Sequence, residues 1–183
     1  RRSSDLTGSD NGPKYLNSPN TPLFQKGCTL FGLDQARREI SDKGIAVLVE
    51  GYTDALAPQS EGMKNVVASL GTALTEDQVS LLQRFCQEVV IPYDRDASGE
   101  RATLKGMKLL RNKGISVRVA DLPENSDPAD IVEQQGVEIL SQFIDEAEPF
   151  YEFYLQILKK SYDLSTIQGR EKALNDSSNF IKE

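Results

Sequence analysis

Five apolar residues, Ile45-Ala46-Val47-Leu48-Val49, run without a break and end in Glu50-Gly51-Tyr52-Thr53-Asp54. A run this short, with this many branched side chains, reads as a strand buried on both faces, as in a parallel sheet flanked by helices. The pattern returns in Glu88-Val89-Val90-Ile91-Pro92-Tyr93, which leads into Asp94-Arg95-Asp96. Open parallel sheets bind ligands beyond the carboxyl ends of their strands. Two strands that each deliver acids there point to one shared site. Crowded carboxylates repel one another unless a cation lies among them, and a donor set of oxygens suits Mg²⁺.

The segments between these strands alternate with them. Residues 32–43 predict a helix with Leu33, Ala36 and Ile40 on one face, ended by Gly44. After the strand 45–49, Pro58 predicts a helix that is short, late or kinked, stopped by Gly62. The strand 65–69 follows. Thr75-Glu76-Asp77-Gln78 is a capping box that opens a helix with Val79, Leu82 and Phe85 inward. After the strand 88–93, a helix over 97–113 turns Leu104, Met107 and Leu110 to the core, and a strand over 115–120 comes next. Asp127-Pro128 then opens a further helix, with Asp127 as its cap and Pro128 in its first turn. This order implies an α/β fold with a four-stranded, mostly parallel sheet flanked by helices. Helical spacing from 137 to 183 predicts a small helical bundle. The expected organisation is a strap and leading helix over 1–44, the α/β domain over 45–136 and the helical subdomain over 137–183.

The strap runs Lys14-Tyr15-Leu16-Asn17-Ser18-Pro19 through Thr21-Pro22-Leu23-Phe24 to Lys26-Gly27. Its prolines forbid a long helix, so it lies extended over a surface with its apolar side chains as anchors. The chain holds no histidine and two cysteines, Cys28 and Cys86. That excludes a Cys/His zinc site and any catalytic pair built on histidine within these residues. Catalysis must rest on carboxylates, Lys/Arg and metal. The net charge is −7, and residues 1–44 carry seven basic and five acidic side chains, a local excess of two positive charges. An acidic chain does not hold phosphate backbones by net charge, so a nucleic-acid partner requires metal or a basic segment elsewhere. No apolar run approaches the roughly 20 residues of a membrane span. The chain starts Arg1-Arg2-Ser3-Ser4, without a secretory signal or an initiator methionine, and reads as an excised piece.

An apolar strand ending in Glu50-Gly51-Tyr52-Thr53-Asp54, followed by one ending in Asp94-Arg95-Asp96, resembles the Toprim domain. Primases, topoisomerases, some nucleases and recombination mediators share that domain. The strap and Lys64 to Thr75 (KNVVASLGTALT) are similar to the bacterial DnaG-type primase family. Asp127-Pro128-Ala129-Asp130 resembles its third acidic motif. Asp163-Leu164-Ser165-Thr166 with Gly169-Arg170 resembles the start of its late helix. Arg95 stands where glycine is usual, and Ala129 where aspartate is frequent. The resemblance spans about 13–183.

It implies a fragment of the catalytic domain, lacking the zinc-binding domain, the basic N-terminal part and the helicase-binding domain. The implied activity is template-directed synthesis of short RNA primers from ribonucleoside triphosphates, a nucleotidyl transfer using two or more Mg²⁺ or Mn²⁺ ions. Glu50, Asp94 and Asp96 are the implied catalytic metal ligands, with Asp54 and Asp127 as further members. Lys14, Tyr15, Asn17, Lys26 and Gly51 are implied in nucleotide binding. The implied partners are a single-stranded DNA template, the replicative helicase and single-strand-binding protein, at a cytoplasmic replication fork. In Toprim nucleases and topoisomerases the same acids cleave DNA, and a Toprim scaffold needs no acids. The strap and the 64–75 segment argue for the primase, and the presence of all three principal acids argues against the scaffold.

Overall fold

The computed structural model describes residues 20–21, 24–70, 73–93 and 100–182. Four strands pair in parallel: β1 (Ile45–Val49), β2 (Val66–Ala68), β3 (Glu88–Tyr93) and β4 (Ser116–Asp121). A fifth strand, β5 (Glu148–Pro149), adds to β4 in the antiparallel sense, and the spatial order is β2-β1-β3-β4-β5. Among the described residues the sheet therefore has five strands rather than the four expected. Two residues, one of them proline, leave no periodicity to read.

Helices cover both faces, and this is why the strands are unbroken apolar runs. Ala46, Leu48, Val67, Val89, Val117 and Val119 point to one face. They pack there against α1 (Leu33–Lys43), α3 (Glu76–Leu82), α4 (Glu100–Asn112) and α7 (Phe150–Ser161), through Ile40, Leu82, Met107 and Phe153 among others. Val47, Val49, Val66, Ala68, Val90 and Ala120 point to the other face. Their partners are α2 (Tyr52–Ser60), α5 (Pro128–Gln135) and α6 (Val137–Asp145), through Ala55, Ile131, Leu140 and Ile144. Alternate residues of each strand thus serve different cores. The helices after residue 136 contribute to both.

The connections fix where a ligand can enter. From β1 the chain crosses to β2 through α2 on one face, and from β3 to β4 through α4 on the other. Right-handed crossovers that run in opposite directions must lie on opposite faces. β1 and β3 are neighbours, so their carboxyl ends flank the point at which the winding reverses. At such a point the two outgoing connections diverge and leave a crevice.

Local chemistry sets the helix ends. α2 begins at Tyr52, directly after the strand, and Pro58 lies buried in its last turn. The missing proline N–H removes only one bond there, so the helix is short. Late in the chain, Asp163, Ser165 and Thr166 form a turn leading into α8 (Ile167–Lys182). Thr166 Oγ1 accepts the Gly169 N–H at 3.0 Å, and Arg170 donates to the carbonyls of Leu164 and Ser165. A Cβ on Gly169 would stand 1.9 Å from the Asp163 carbonyl oxygen, so only glycine fits.

Candidate active site

β1 delivers Glu50 to the carboxyl edge of the sheet, where it is solvent-exposed. The β1–β3 register pairs Val47 with Val90, and carried three residues on it sets Glu50 level with Tyr93, the last residue of β3. Asp94 and Asp96, next in the sequence, lie outside the described residues, as do Lys14, Tyr15 and Asn17. At the winding reversal Glu50 thus stands beside the end of the strand that leads to Asp94.

Gly51 is the N-cap of α2, and its N–H donates to Asp54 Oδ2 at 3.0 Å. Asp54 folds back over the helix start, where a carboxylate also meets the positive end of the helix dipole. A Cβ on Gly51 would sit 2.8 Å from that oxygen, so glycine makes room for the acid. Asp127 caps α5: its Oδ1 accepts the Asp130 N–H at 2.7 Å, and Asp130 Oδ2 faces the Asp127 N–H at 3.5 Å. α2 and α5 pack side by side. Both helices follow strands that end at this edge, so Glu50, Asp54 and Asp127 share it. Among the described residues no three acids lie close enough together to hold a metal ion. The donor set is nonetheless all carboxylate oxygen, in a chain without histidine, and that chemistry fits Mg²⁺ or Mn²⁺.

The strap reaches the same edge. Phe31 exchanges two backbone hydrogen bonds with Ala68 at the outer side of β2, at 2.9 and 3.1 Å. Its ring lies 6.2 Å from that of Tyr52. Lys26 stands in a single 3-10 turn, Lys26–Cys28, packed on α3. The fastening group is Gln78, which is fully buried. Its Nε2 faces the carbonyls of Lys26 and Thr29, both at 2.9 Å, and that of Ser69 at 3.4 Å. Its Oε1 accepts the Thr75 N–H at 3.1 Å, which closes the capping box. Thr75 Oγ1 donates to the Gly27 carbonyl. Sequence reading found the box but not the second duty of Gln78. The available signal was glutamine at a position where glutamate caps equally well.

Leu70, just past β2, has φ of 65° and a buried side chain. A non-glycine residue in the left-handed region costs energy, and such costs cluster at functional edges. A cavity of about 410 Å³ opens at the opposite, amino end of the sheet, lined by Ile45, Met63, Asn65, Arg118 and Ile144 among others.

Residues 47–132 match the Toprim-like family, and residues 2–37 match the N-terminal domain of the DNA primase catalytic core. Part of that N-terminal domain is thus present, where the resemblance alone implied its absence. The DNA primase of Clostridium acetobutylicum is 38% identical over 175 residues, covering 95% of this chain and 29% of that protein. This chain belongs to the bacterial DnaG-type DNA primase family. A crystal structure of a DNA primase domain from Pseudomonas aeruginosa covers 95% of the chain and 56% of its own, with 33% identity and a TM-score of 0.83. A DnaG primase catalytic domain bound to single-stranded DNA matches with the same identity and score, covering 95% of this chain and 57% of its own. The chain spans about three tenths of the length of the curated primase it matches. Among the described residues no helix is long and apolar enough to cross a membrane.

Proposed function

We propose that this segment forms the centre of a primase catalytic core, which joins ribonucleoside triphosphates on a single-stranded DNA template into short RNA primers. The observation that carries the reading is Glu50 at the winding reversal of a sheet that superposes on a DnaG catalytic domain bound to single-stranded DNA. Family members use divalent ions. Glu50, Asp94 and Asp96 would hold Mg²⁺ or Mn²⁺ here, with Asp54 and Asp127 beside them. The bound ions would neutralise phosphate charge and favour ionisation of the attacking hydroxyl.

The chain's own groups supply position. Lys26, with Lys14, Tyr15 and Asn17 earlier in the strap, binds the incoming nucleotide: lysine as a point charge on phosphate, asparagine at a sugar or base edge. Gly51 lets backbone approach the phosphates closely. The template is held through the wider protein, which also meets the replicative helicase and single-strand-binding protein at a cytoplasmic replication fork. Cleavage of DNA by the same acids is not favoured, since both the matched sequences and the matched structures are primases.

The test is primer synthesis and metal-dependent nucleotide binding by the full chain and its Asp94→Ala and Glu50→Gln variants. Loss of about 100-fold in synthesis is expected from either, the size of one lost electrostatic stabiliser. Variants that keep wild-type synthesis would remove the acids from the mechanism.

A further inference from the structure

Gln78 does more than a capping box requires. The box needs only an acceptor for the Thr75 N–H, and Gln78 Oε1 supplies it at 3.1 Å. Glutamate would serve there equally well. The amide nitrogen is spent elsewhere, on the carbonyls of Lys26 and Thr29 at 2.9 Å and of Ser69 at 3.4 Å. Ser69 in turn donates its N–H to the Val49 carbonyl at 3.1 Å, and Val49 is the residue before Glu50. One buried amide thus joins the backbone of Lys26 to the strand ends that carry the acid.

The turn that bears Lys26 has little else to hold it. Residues 26–28 bury no side chain. Its other described ties are polar too: the Lys26 N–H to Asn20 Oδ1 at 3.2 Å, the Cys28 N–H to the Gln25 carbonyl at 3.0 Å, the exposed Cys28 Sγ to Asp77 Oδ2 at 3.2 Å, and the Thr75 hydroxyl to the Gly27 carbonyl. With no apolar anchor, the place of Lys26 is set by hydrogen bonds, and a fully buried donor aimed at two carbonyls is the most constraining of them.

We propose that Gln78 is a positioning residue for nucleotide binding: its amide fixes the Lys26 turn at the carboxyl edge beside Glu50, so that the ammonium meets the phosphates of the incoming nucleoside triphosphate. This rests on the reading of Lys26 as a nucleotide ligand. The amide touches no substrate and acts only through the turn.

The experiment is a KM and kcat comparison for ATP in templated primer synthesis by the full chain, across Lys26→Ala, Gln78→Met and the double variant. Lys26→Ala is expected to raise KM roughly tenfold, the worth of one hydrogen bond to a charged group. Gln78→Met is expected to raise KM severalfold with kcat within about twofold. In the Lys26→Ala background it should add nothing further, because both changes remove one contact. Gln78→Glu, which keeps the acceptor for Thr75 and loses a donor, is measured the same way should the methionine variant fail to fold. Additive effects of the two changes, or a fall in kcat with KM unchanged, would overturn the positioning role. A Lys26→Ala variant with unchanged KM removes the nucleotide reading itself, and the proposal with it.

Discussion

Arg118 and Glu88 lie diagonally across the β3–β4 ladder, and the guanidinium donates twice to a single carboxylate oxygen, at 2.9 Å from Nε and 2.7 Å from Nη2. The third nitrogen, Nη1, faces the carbonyls of Ile144, Asp145 and Ala147 at 3.3 to 3.4 Å. One side chain thus closes the ladder and collects the carbonyls at the end of α6. The two side chains are 22% and 26% exposed, so solvent screens the pair only in part. Arg118→Met leaves a half-buried carboxylate and three carbonyls without this partner. The expected cost is about 2 kcal/mol, reduced from the value of a fully buried pair. Urea unfolding measures it. Because the contact lies at the amino side of the sheet, KM for nucleotide should stay unchanged.

Asp127 caps α5 and is also proposed as a member of the acidic edge, and the two duties separate by substitution. Asparagine caps a helix as well as aspartate does, while alanine does not. Asp127→Asn should keep the melting temperature of the parent and Asp127→Ala should lose about 1 kcal/mol. If the charge serves the proposed metal site, both variants lose primer synthesis alike at limiting Mg²⁺. If Asp127 serves only as a cap, Asp127→Asn stays fully active.

Gly169 stands against a carbonyl. Placing a Cβ 1.9 Å from the Asp163 oxygen forces the turn apart, so Gly169→Ala should destabilise by about 2 kcal/mol although alanine is the better helix former. Hydrogen exchange checks the location. The Gly169 amide, held by Thr166 Oγ1 in the parent, should exchange faster, while the amides of β1 and β3 keep their protection.

The two thiols are free and sit in opposite settings. Cys28 is exposed, and its Sγ donates to Asp77 Oδ2 at 3.2 Å. That hydrogen bond raises its pKa above the usual thiol value, with slight desolvation and the charge of Asp77 adding to the rise. Burial pushes Cys86 up to about 11. A raised thiol pKa means less thiolate at a given pH, and the thiolate is the reactive form. Alkylation near pH 8 should therefore be slow at Cys28 and slower still at Cys86. Asp77→Asn lowers the Cys28 pKa and should speed its alkylation, leaving Cys86 unchanged. Rates of iodoacetamide labelling followed against pH decide it.

Much of the fold was legible because burial on both faces writes apolar runs, as in Ile45–Val49 and in β3 after its first residue, Glu88. The capping box at Thr75 and the Asp127-Pro128 helix start were legible because they use local bonds between residues three apart. β5 was not, since two residues have no period. The hub at Gln78 was not, since its partners stand 52, 49 and 9 positions away and a sequence does not display them. Asp54 could be read either as a metal ligand or as a charge at a helix start. The structure gives it the second duty through the Gly51 N–H, and the first stays with the proposal.

The bridge between Phe31 and Ala68 bears on how the molecule avoids itself. A sheet ends in two rows of unpaired backbone groups, and such rows invite a second chain to pair. At one end β5 is two residues long and finishes in Pro149, which has no N–H to offer. At the other end β2 is three residues long, and Phe31 takes both the N–H and the carbonyl of Ala68. The segment proposed to bring nucleotide to the acids is therefore also the guard of an edge. A fragment cut after Phe31 would lose that guard, and its exposed β2 would become a seed for strand addition and aggregation.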